Sequence, residues 1–589
     1  MTKNLQSMLI KAISYVYVAM PFLIFSIGWM KPWIGIPIAL AVVLSLWLCI
    51  KNDEYSVQVE KIVPYICILT AIALLWVLIA GIGGYSYQNP DHRYRNTIFQ
   101  TLINSEWPVV GTTYMDGKIN VRLLCYYFGY WLPGALVGKI FGYQIGNYFL
   151  IFWSALGIVL VVFWLCHFTK KADWKVILFL IFFSGLDYFR VKMTGNTSLI
   201  GTDQIEYWAE YQYSSNTTLI FWVYNQAIYS WLITAMLLSQ KKKRNVVFLW
   251  SNLILSSTFS FLGLLPYVVY QLVKGFSFKN CKNEIKEIFT IQNVLGGGCI
   301  GLLSVYFITS NTNAAGIQLH SGGSSYVTTL LKLAIFLLFE IGAYIVILRR
   351  VEKQNPLFWI TLISLLVIPM FSIPDNYAND FCMRVSVPAL FVLMALLLKN
   401  VDSYKNKIVF WGIFCIGAVT AVHEFSSNLT HITNYSNITL PKQRLFEASN
   451  YTVEYENNRI TILLKDNKNQ YDLNDVDLYN LKGYTDTEYV QTMHESYQVM
   501  IINGEMDIHI TEKIENDILF KTECETDTQV EIKINDGEWK KLDSTPQKGV
   551  SEIVIQTEEL KQELDNVIYL RSSNMQEELV IKKISIKNI

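Results

Sequence analysis

The chain has 589 residues, with 48 Lys and Arg against 48 Asp and Glu, 52% hydrophobic residues and only 16% charged ones. This composition excludes a disordered chain, which needs low hydrophobicity and high net charge, and it leaves no overall basic field for nucleic acid. The zero balance is a sum of unlike parts. Residues 1–424 carry 31 basic and 19 acidic residues, and residues 425–589 carry 17 and 29, so a net +12 precedes a net −12.

In chain order, apolar runs near 9–29, 33–50, 63–84, 146–168, 174–190, 217–239, 289–309, 327–348, 357–373, 384–399 and 406–424 have the length of bilayer-crossing helices. The run 245–273 is too long for one crossing and short for two, and reads as two tight helices meeting near Ser257–Ser260. The total is about 13 crossings. The first run lacks a small-residue cleavage site and is followed at once by another, so it reads as a retained anchor. Residues 122–142, with Pro133, four glycines and Lys139, read as an interfacial or re-entrant helix. Counted as a crossing, that stretch would invert every later loop.

Basic residues set the orientation. The loops with Lys170, Lys171 and Lys175, Lys241 to Arg244, Lys274 to Lys286, Arg349 to Lys353, and Lys399 to Lys407 fall on one face. With Lys3, Lys11, Lys51 and Lys61, that face holds 21 of the 31 basic residues. It is predicted to be the cytoplasmic face of the plasma membrane, with the N-terminus inside and the acidic tail outside. The nine cysteines show no metal-ligand spacing.

The outer side then has polar loops at 85–121, 190–216 and 374–384, and a shorter one carrying His320. In NPDHRYRN, Asp91 could be a general base, and Arg93 and Arg95 could grip a phosphate by forked hydrogen bonds. The same residues also spell a helix start, with Asn89 as N-cap, Pro90 in the first turn and Asp91 paired to Arg95. In the second loop Asp203, Glu206 and Glu210 would share helix faces, and could hold a divalent cation, position a sugar hydroxyl or form an ordinary solvated face. Arg190 and Lys192 fit phosphate contacts or snorkelling anchors. Arg384 fits a lipid phosphate or a pair with Asp380. Within the spans, Glu340 and Asp187 read as isolated structural acids, with Lys332 a partner for Glu340, and His167 as interfacial.

From about 440 the period changes. YTVEY, RITILLK, DILFKTE, QVEIKIN, EIVIQ, NVIYL and ELVIKKISI read as strands, with Asn535-Asp536-Gly537 as a hairpin turn. The domains are therefore 1–424 in the membrane, 425–494 as a mixed connector and 495–589 as a β-sandwich-like domain.

Asp91 in the first outer loop, the aromatic segment LLCYYFGYWLPGALVGKIFGYQIGNYFLIFW (123–153) and the tight double helix at 245–273 together resemble the GT-C superfamily of multispan glycosyltransferases. FSGLD (183–187), YSSNTTLIFWVYNQAIYSWL (213–232) and NDFCMRVSVPALF (379–391) are similar to motifs of a bacterial branch of it. The chain lacks a strict Asp-x-Asp in the first loop, and two helices precede the usual first span.

The resemblance implies a polytopic α-helical, GT-C-like membrane protein with a C-terminal extracytoplasmic β-sandwich-like domain. It implies inverting transfer of a sugar from a polyprenyl-phosphate donor to a cell-envelope glycan or lipid acceptor. Asp91 would be the base. Arg93, Arg95, Arg190, Lys192 and Arg384 would meet the donor phosphate. His92, Glu106, Asp203, Glu206, Trp208, His320 and Asp380 would meet the acceptor or sugar. Tyr85, Tyr87, Trp107, Tyr207 and Trp208 could stack on sugar rings or form an interfacial belt. The resemblance implies no cofactor with certainty, a divalent cation would be compatible, and membrane lipids are expected partners. Two other classes stay open: a transporter or flippase of lipid-linked glycans, and a non-catalytic envelope assembly protein.

Overall fold

The computed structural model describes residues 3–52, 63–115, 118–193, 205–206, 208, 211–310, 317–320, 326–373, 380–432, 437–440, 445–446, 451–454, 463–465, 493–494, 497–498, 500–502, 505–510, 517–524, 529–544, 549–560, 566–573 and 579–588. Its contacts form two units: residues 1–89 with 127–435, and residues 90–126 with 436–589. Residues 90–126 thus fold with the tail rather than with the helices that flank them.

The chain opens with α1 (Lys3–Trp29), α2 (Pro32–Asn52) and α3 (Ile66–Ile79). It then leaves the helical unit for α4 (His92–Asn104), β1 (Val110–Met115) and β2 (Lys118–Leu124). It returns with α5 (Leu132–Phe141), α6 (Tyr143–Thr169), α7 (Trp174–Phe182), α8 (Asp187–Met193) and α9 (Asn216–Leu238). Next come α10 (Val246–Ser251), α11 (Thr258–Val273), α12 (Cys281–Ile288) and α13 (Ile291–Ser310). The helical unit closes with α14 (Tyr326–Leu337), α15 (Ala343–Glu352), α16 (Pro356–Val367), α17 (Asp380–Val385), α18 (Val387–Lys399) and α19 (Lys407–Thr430). A π-turn, Leu338–Gly342, joins α14 to α15. A two-strand pair, β3 (Gln318–Leu319) with β4 (Phe371–Ser372), lies between these helices.

Among the described residues, five helical stretches are long and apolar enough to cross a membrane: Ser7–Trp29, Pro32–Lys51, Tyr143–Thr169, Val327–Glu352 and Lys407–Thr430. A sixth would be α11 with the helix that follows it, bent by 76°. This supports a helical membrane protein, and large apolar side chains on its outside, Trp33, Leu40, Ile68 and Ile408 among them, fit a lipid environment. Other expected runs form shorter apolar helices, among them Val63–Ile79, Ile291–Phe307 and Val387–Lys399. A bilayer core needs about 20 helical residues, and several expected spans are broken. The 174–190 run stops at Phe182 and resumes at Asp187. The 245–273 run is two helices, as expected, but α10 has only six residues. The 384–399 run divides at Ser386.

The 122–142 stretch forms no single long helix. It gives the end of β2 and the ten-residue α5, which packs against α6 so closely that a Cβ at Gly146 would lie 2.7 Å from Gly138 Cα. Small residues at such a crossing let two backbones meet.

In the second unit, β1 and β2 form a hairpin, and β2 pairs with β5 (Thr452–Glu454). The tail adds β6 (Met493–His494), β7 (Tyr497–Gln498), β8 (Met500–Ile502), β9 (Glu505–Ile510), β10 (Ile518–Cys524), β11 (Val530–Ile534), β12 (Lys540–Lys541), β13 (Asp543–Ser544), β14 (Val550–Ile555), β15 (Asn566–Ser572) and β16 (Leu579–Asn588). Two antiparallel sheets result, ordered β13-β14-β10-β16-β8 and β12-β11-β15-β9. Along β11, buried Val530, Ile532 and Ile534 alternate with Glu531 and Lys533, the two-residue period of a one-sided sheet. The expected hairpin turn is present. Asn535 takes a left-handed φ of 49°, Gly537 N–H donates to Ile534 O, and Ile532 pairs with Lys540. Most of the expected strand RITILLK lies outside the described residues.

Candidate functional site

In the second unit, α4 carries the NPDHRYRN residues. Asp91 occupies its N-cap position without a capping side-chain bond. The expected cap, Asn89, instead donates its amide to Phe221 O, 2.9 Å away. Asp91 pairs with Arg95 at 2.8 Å, one helical turn on. The Asp91 side chain is 46% exposed while that of Arg95 is 9% exposed, so the guanidinium is a buried post that orients an accessible carboxylate. His92 is fully buried, Arg93 is half-buried and Glu106 is exposed. Trp107 donates its indole N–H to Leu102 O. The helix is tied down by the tail: Asn96 donates to Ile438 O, and the Leu440 N–H donates to Thr97 Oγ1 at 2.7 Å.

In the helical unit, Arg384 pairs with Asp380 at 3.0 Å, donates to the Tyr127 hydroxyl and lies over the Phe259 ring. Arg190 donates to Ile205 O at 3.2 Å and so holds the second loop. His320 bonds through its backbone to Met370 O, and its ring meets Tyr211 edge-on. Tyr85 stacks with Tyr148, and Tyr87 lies against His431. Asp203, Tyr207, Glu210 and the side chain of Lys192 lie outside the described residues.

The structure brings together acids that the sequence left apart. Asp187 and Glu340, expected to be isolated, both accept from the Trp208 indole N–H, at 3.1 and 2.6 Å. Asp187 also accepts from Ser184 Oγ at 3.1 Å and Thr420 Oγ1 at 2.9 Å. Glu206 is turned inward, where a solvated face or a sugar contact was expected. It accepts from the Ser215 N–H at 2.8 Å, Thr218 Oγ1 at 2.6 Å and Gln212 Nε2 at 3.3 Å. Burial above all, then the charges of Asp187 and Glu424, pushes its carboxyl up to about 8. Glu424, unnoticed in the sequence, accepts from Trp222 Nε1 at 3.2 Å. Trp208 is therefore a buried donor to carboxylates, not an exposed stacking platform.

Local backbone geometry produces this cluster. Ser184 and Gly185 interrupt the helix between α7 and α8, and neighbours satisfy the freed groups. Tyr344 donates to Ser184 O, Leu186 N–H to Phe339 O, and Asn216 N–H to Phe183 O. Only a glycine fits at 185, since a Cβ there would lie 1.9 Å from Glu340 Oε2. Glu340 sits in the π-turn, a distortion that often marks functional helices. Among the described residues no group of three or more His, Cys, Asp or Glu is arranged to hold a metal ion.

Comparison with protein families, curated proteins and solved structures finds no match to this chain.

Proposed function

We propose that the chain is a membrane glycosyltransferase of GT-C type, acting at the outer face on a polyprenyl-phosphate-linked sugar. The observation that carries this reading is the setting of Asp91. Its half-exposed carboxylate stands at the first turn of α4, soon after the apolar α3, and a buried Arg95 fixes its direction. A general base needs that combination of access and orientation. Asp91 would take the proton of an acceptor hydroxyl. The hydroxyl oxygen would attack the anomeric carbon, and the bond from that carbon to the phosphate oxygen would break with inversion. Arg93, two residues on from Asp91, would offset charge on the departing lipid phosphate. In this reading the two antiparallel sheets of the tail pack as a β-sandwich outside the membrane, with the acceptor glycan or lipid on that side.

The test is sugar transfer by purified protein in liposomes, from a labelled polyprenyl-phosphate sugar. Asp91→Asn is expected to cut the rate by about 100-fold or more with an unchanged melting profile. Full activity in that variant would remove Asp91 as the base.

The transporter reading has its own support in the buried acids at the broken α7–α8 segment and the π-turn, since intramembrane acids at interrupted helices commonly line ion or proton paths. Translocation of a lipid-linked glycan by protein that transfers no sugar would favour it.

A further inference from the structure

Between α11 and α13 the chain makes a short helical detour. The helix Phe278–Ile288, whose α-helical part is α12, is bent by 76° from α11. With α11 along the bilayer normal, α12 runs close to the membrane plane. One side of α12 is fastened to the protein. Glu284 pairs with Lys243, and Glu287 with Arg244 at 3.6 Å. Just beyond it, Thr290 donates to Arg244 O at 2.7 Å and Asn293 to Ile288 O at 2.9 Å.

The other side is left outward, and it is sorted by chemistry. Phe278 is 89% exposed and Phe289 is 70% exposed, with Ile285 exposed between them. Lys279, Lys282 and Lys286 are exposed beside this apolar edge, and Lys274 at the preceding turn. Both acids of the helix are used on the inner side, so the charged groups left outward are cations, beside the apolar edge. A loop in water gains nothing from two exposed phenylalanines. A helix lying in a lipid headgroup layer does, because its rings enter the acyl boundary while its lysines reach anionic phosphates.

We infer that α12 and its flanking Phe278 and Phe289 form an in-plane anchor that binds the anionic lipid surface of the leaflet where α11 ends. The occupant follows from continuity, since the helices on both sides belong to the apolar unit, and from charge complementarity. The inference rests on α11 lying in the bilayer. Through Glu284 and Glu287 the anchor is tied to the loop that begins α10.

The experiment uses full-length protein in nanodiscs of phosphatidylcholine with or without phosphatidylglycerol. A fluorescent non-natural residue is placed at 269, 283 or 285 and quenched by lipid carrying a nitroxide just below the headgroup. Strong quenching at 269 and 285 and weak quenching at 283 is expected, with that at 285 deepening as phosphatidylglycerol is added. Preference for spin-labelled phosphatidylglycerol over phosphatidylcholine is expected to fall about threefold or more in Lys282→Gln/Lys286→Gln. Quenching at 269 without quenching at 285 overturns the anchor alone, and no quenching at 269 overturns the membrane placement with it. An unchanged lipid preference in the double variant overturns the anionic selectivity.

Discussion

Thr218→Val tests whether the buried acids organise the start of α9. Valine keeps the shape of threonine, so no cavity is added, and the loss is one hydroxyl. That hydroxyl donates to Glu206 Oε1 at 2.6 Å, inside a site with no solvent exposure of note. The cost depends on the charge of Glu206. Its carboxyl is raised to about 8, so near pH 6 the lost bond is to a neutral acid, worth about 1 kcal/mol, and near pH 9 it is to a carboxylate, worth about 2–3 kcal/mol. The sign follows from linkage. A raised acid contributes stability that is fully present below the unfolded value of 4.5 and is lost as pH rises through 8. Removing a donor that favours the charged form makes that loss steeper. The matched control is Thr234→Val, on the same helix, because the Thr234 hydroxyl is buried with no hydrogen-bond partner among the described residues. It is expected to be neutral or slightly stabilising. Denaturant titrations of detergent-solubilised protein at pH 6 and pH 9, followed by tryptophan fluorescence, measure both. Equal effects of the two substitutions, or a Thr218→Val penalty that does not grow with pH, would refute the assignment of Glu206 as a buried, proton-holding cap.

Gly185→Ala should lower stability by about 1–3 kcal/mol through overpacking against Glu340. Gly297→Ala, in α13 with nothing within 4 Å of the new Cβ, should gain about 0.5–1 kcal/mol. Melting curves that rank the two alike would contradict the packing at the α7–α8 break. Asp402 hydrogen-bonds both Lys171 and Lys175, which hold its carboxyl down at about 2. A depressed acid contributes above its unfolded value of 3.8 and loses that contribution as pH falls through 2. The site is open to solvent, so Asp402→Asn should cost less than about 1 kcal/mol at neutral pH, and the difference should shrink in high salt and towards pH 2. A difference insensitive to salt would mean that the bridge contributes nothing electrostatic.

The sequence carried the long apolar helices, the strand-rich tail and the Asn535 hairpin, because each is a local pattern of period or turn chemistry. The Asp91–Arg95 pair was equally readable, being a spacing of one helical turn. Crossing number was less readable. Hydropathy sums over a window and cannot see that Ser184 and Gly185 break one run or that α10 stops after six residues. The union of residues 90–126 with the tail was also hidden. The register of β2 against β5 joins Arg122 to Glu454 across more than half the chain, and no local signal encodes such a pairing.

The acid cluster shows why polarity alone misplaced the second loop. That loop was read as exposed because it is polar and lies between apolar runs. But α9 is buried along nearly its whole length, including its first turn, and the first turn of any helix leaves N–H groups without intrahelical partners. In water, solvent would meet them. Inside an apolar unit a side chain must, and Ser215 and Glu206 do so, with Thr218 between them. The interruption at Ser184–Gly185 makes the same demand, and Tyr344 and the start of α9 answer it. Burial of the first turn of α9 thus draws the preceding polar loop inward to supply a carboxylate. That carboxylate is Glu206, nine residues before Ser215, and in the same unit Trp208 donates to Asp187 and Glu340 while Trp222 donates to Glu424.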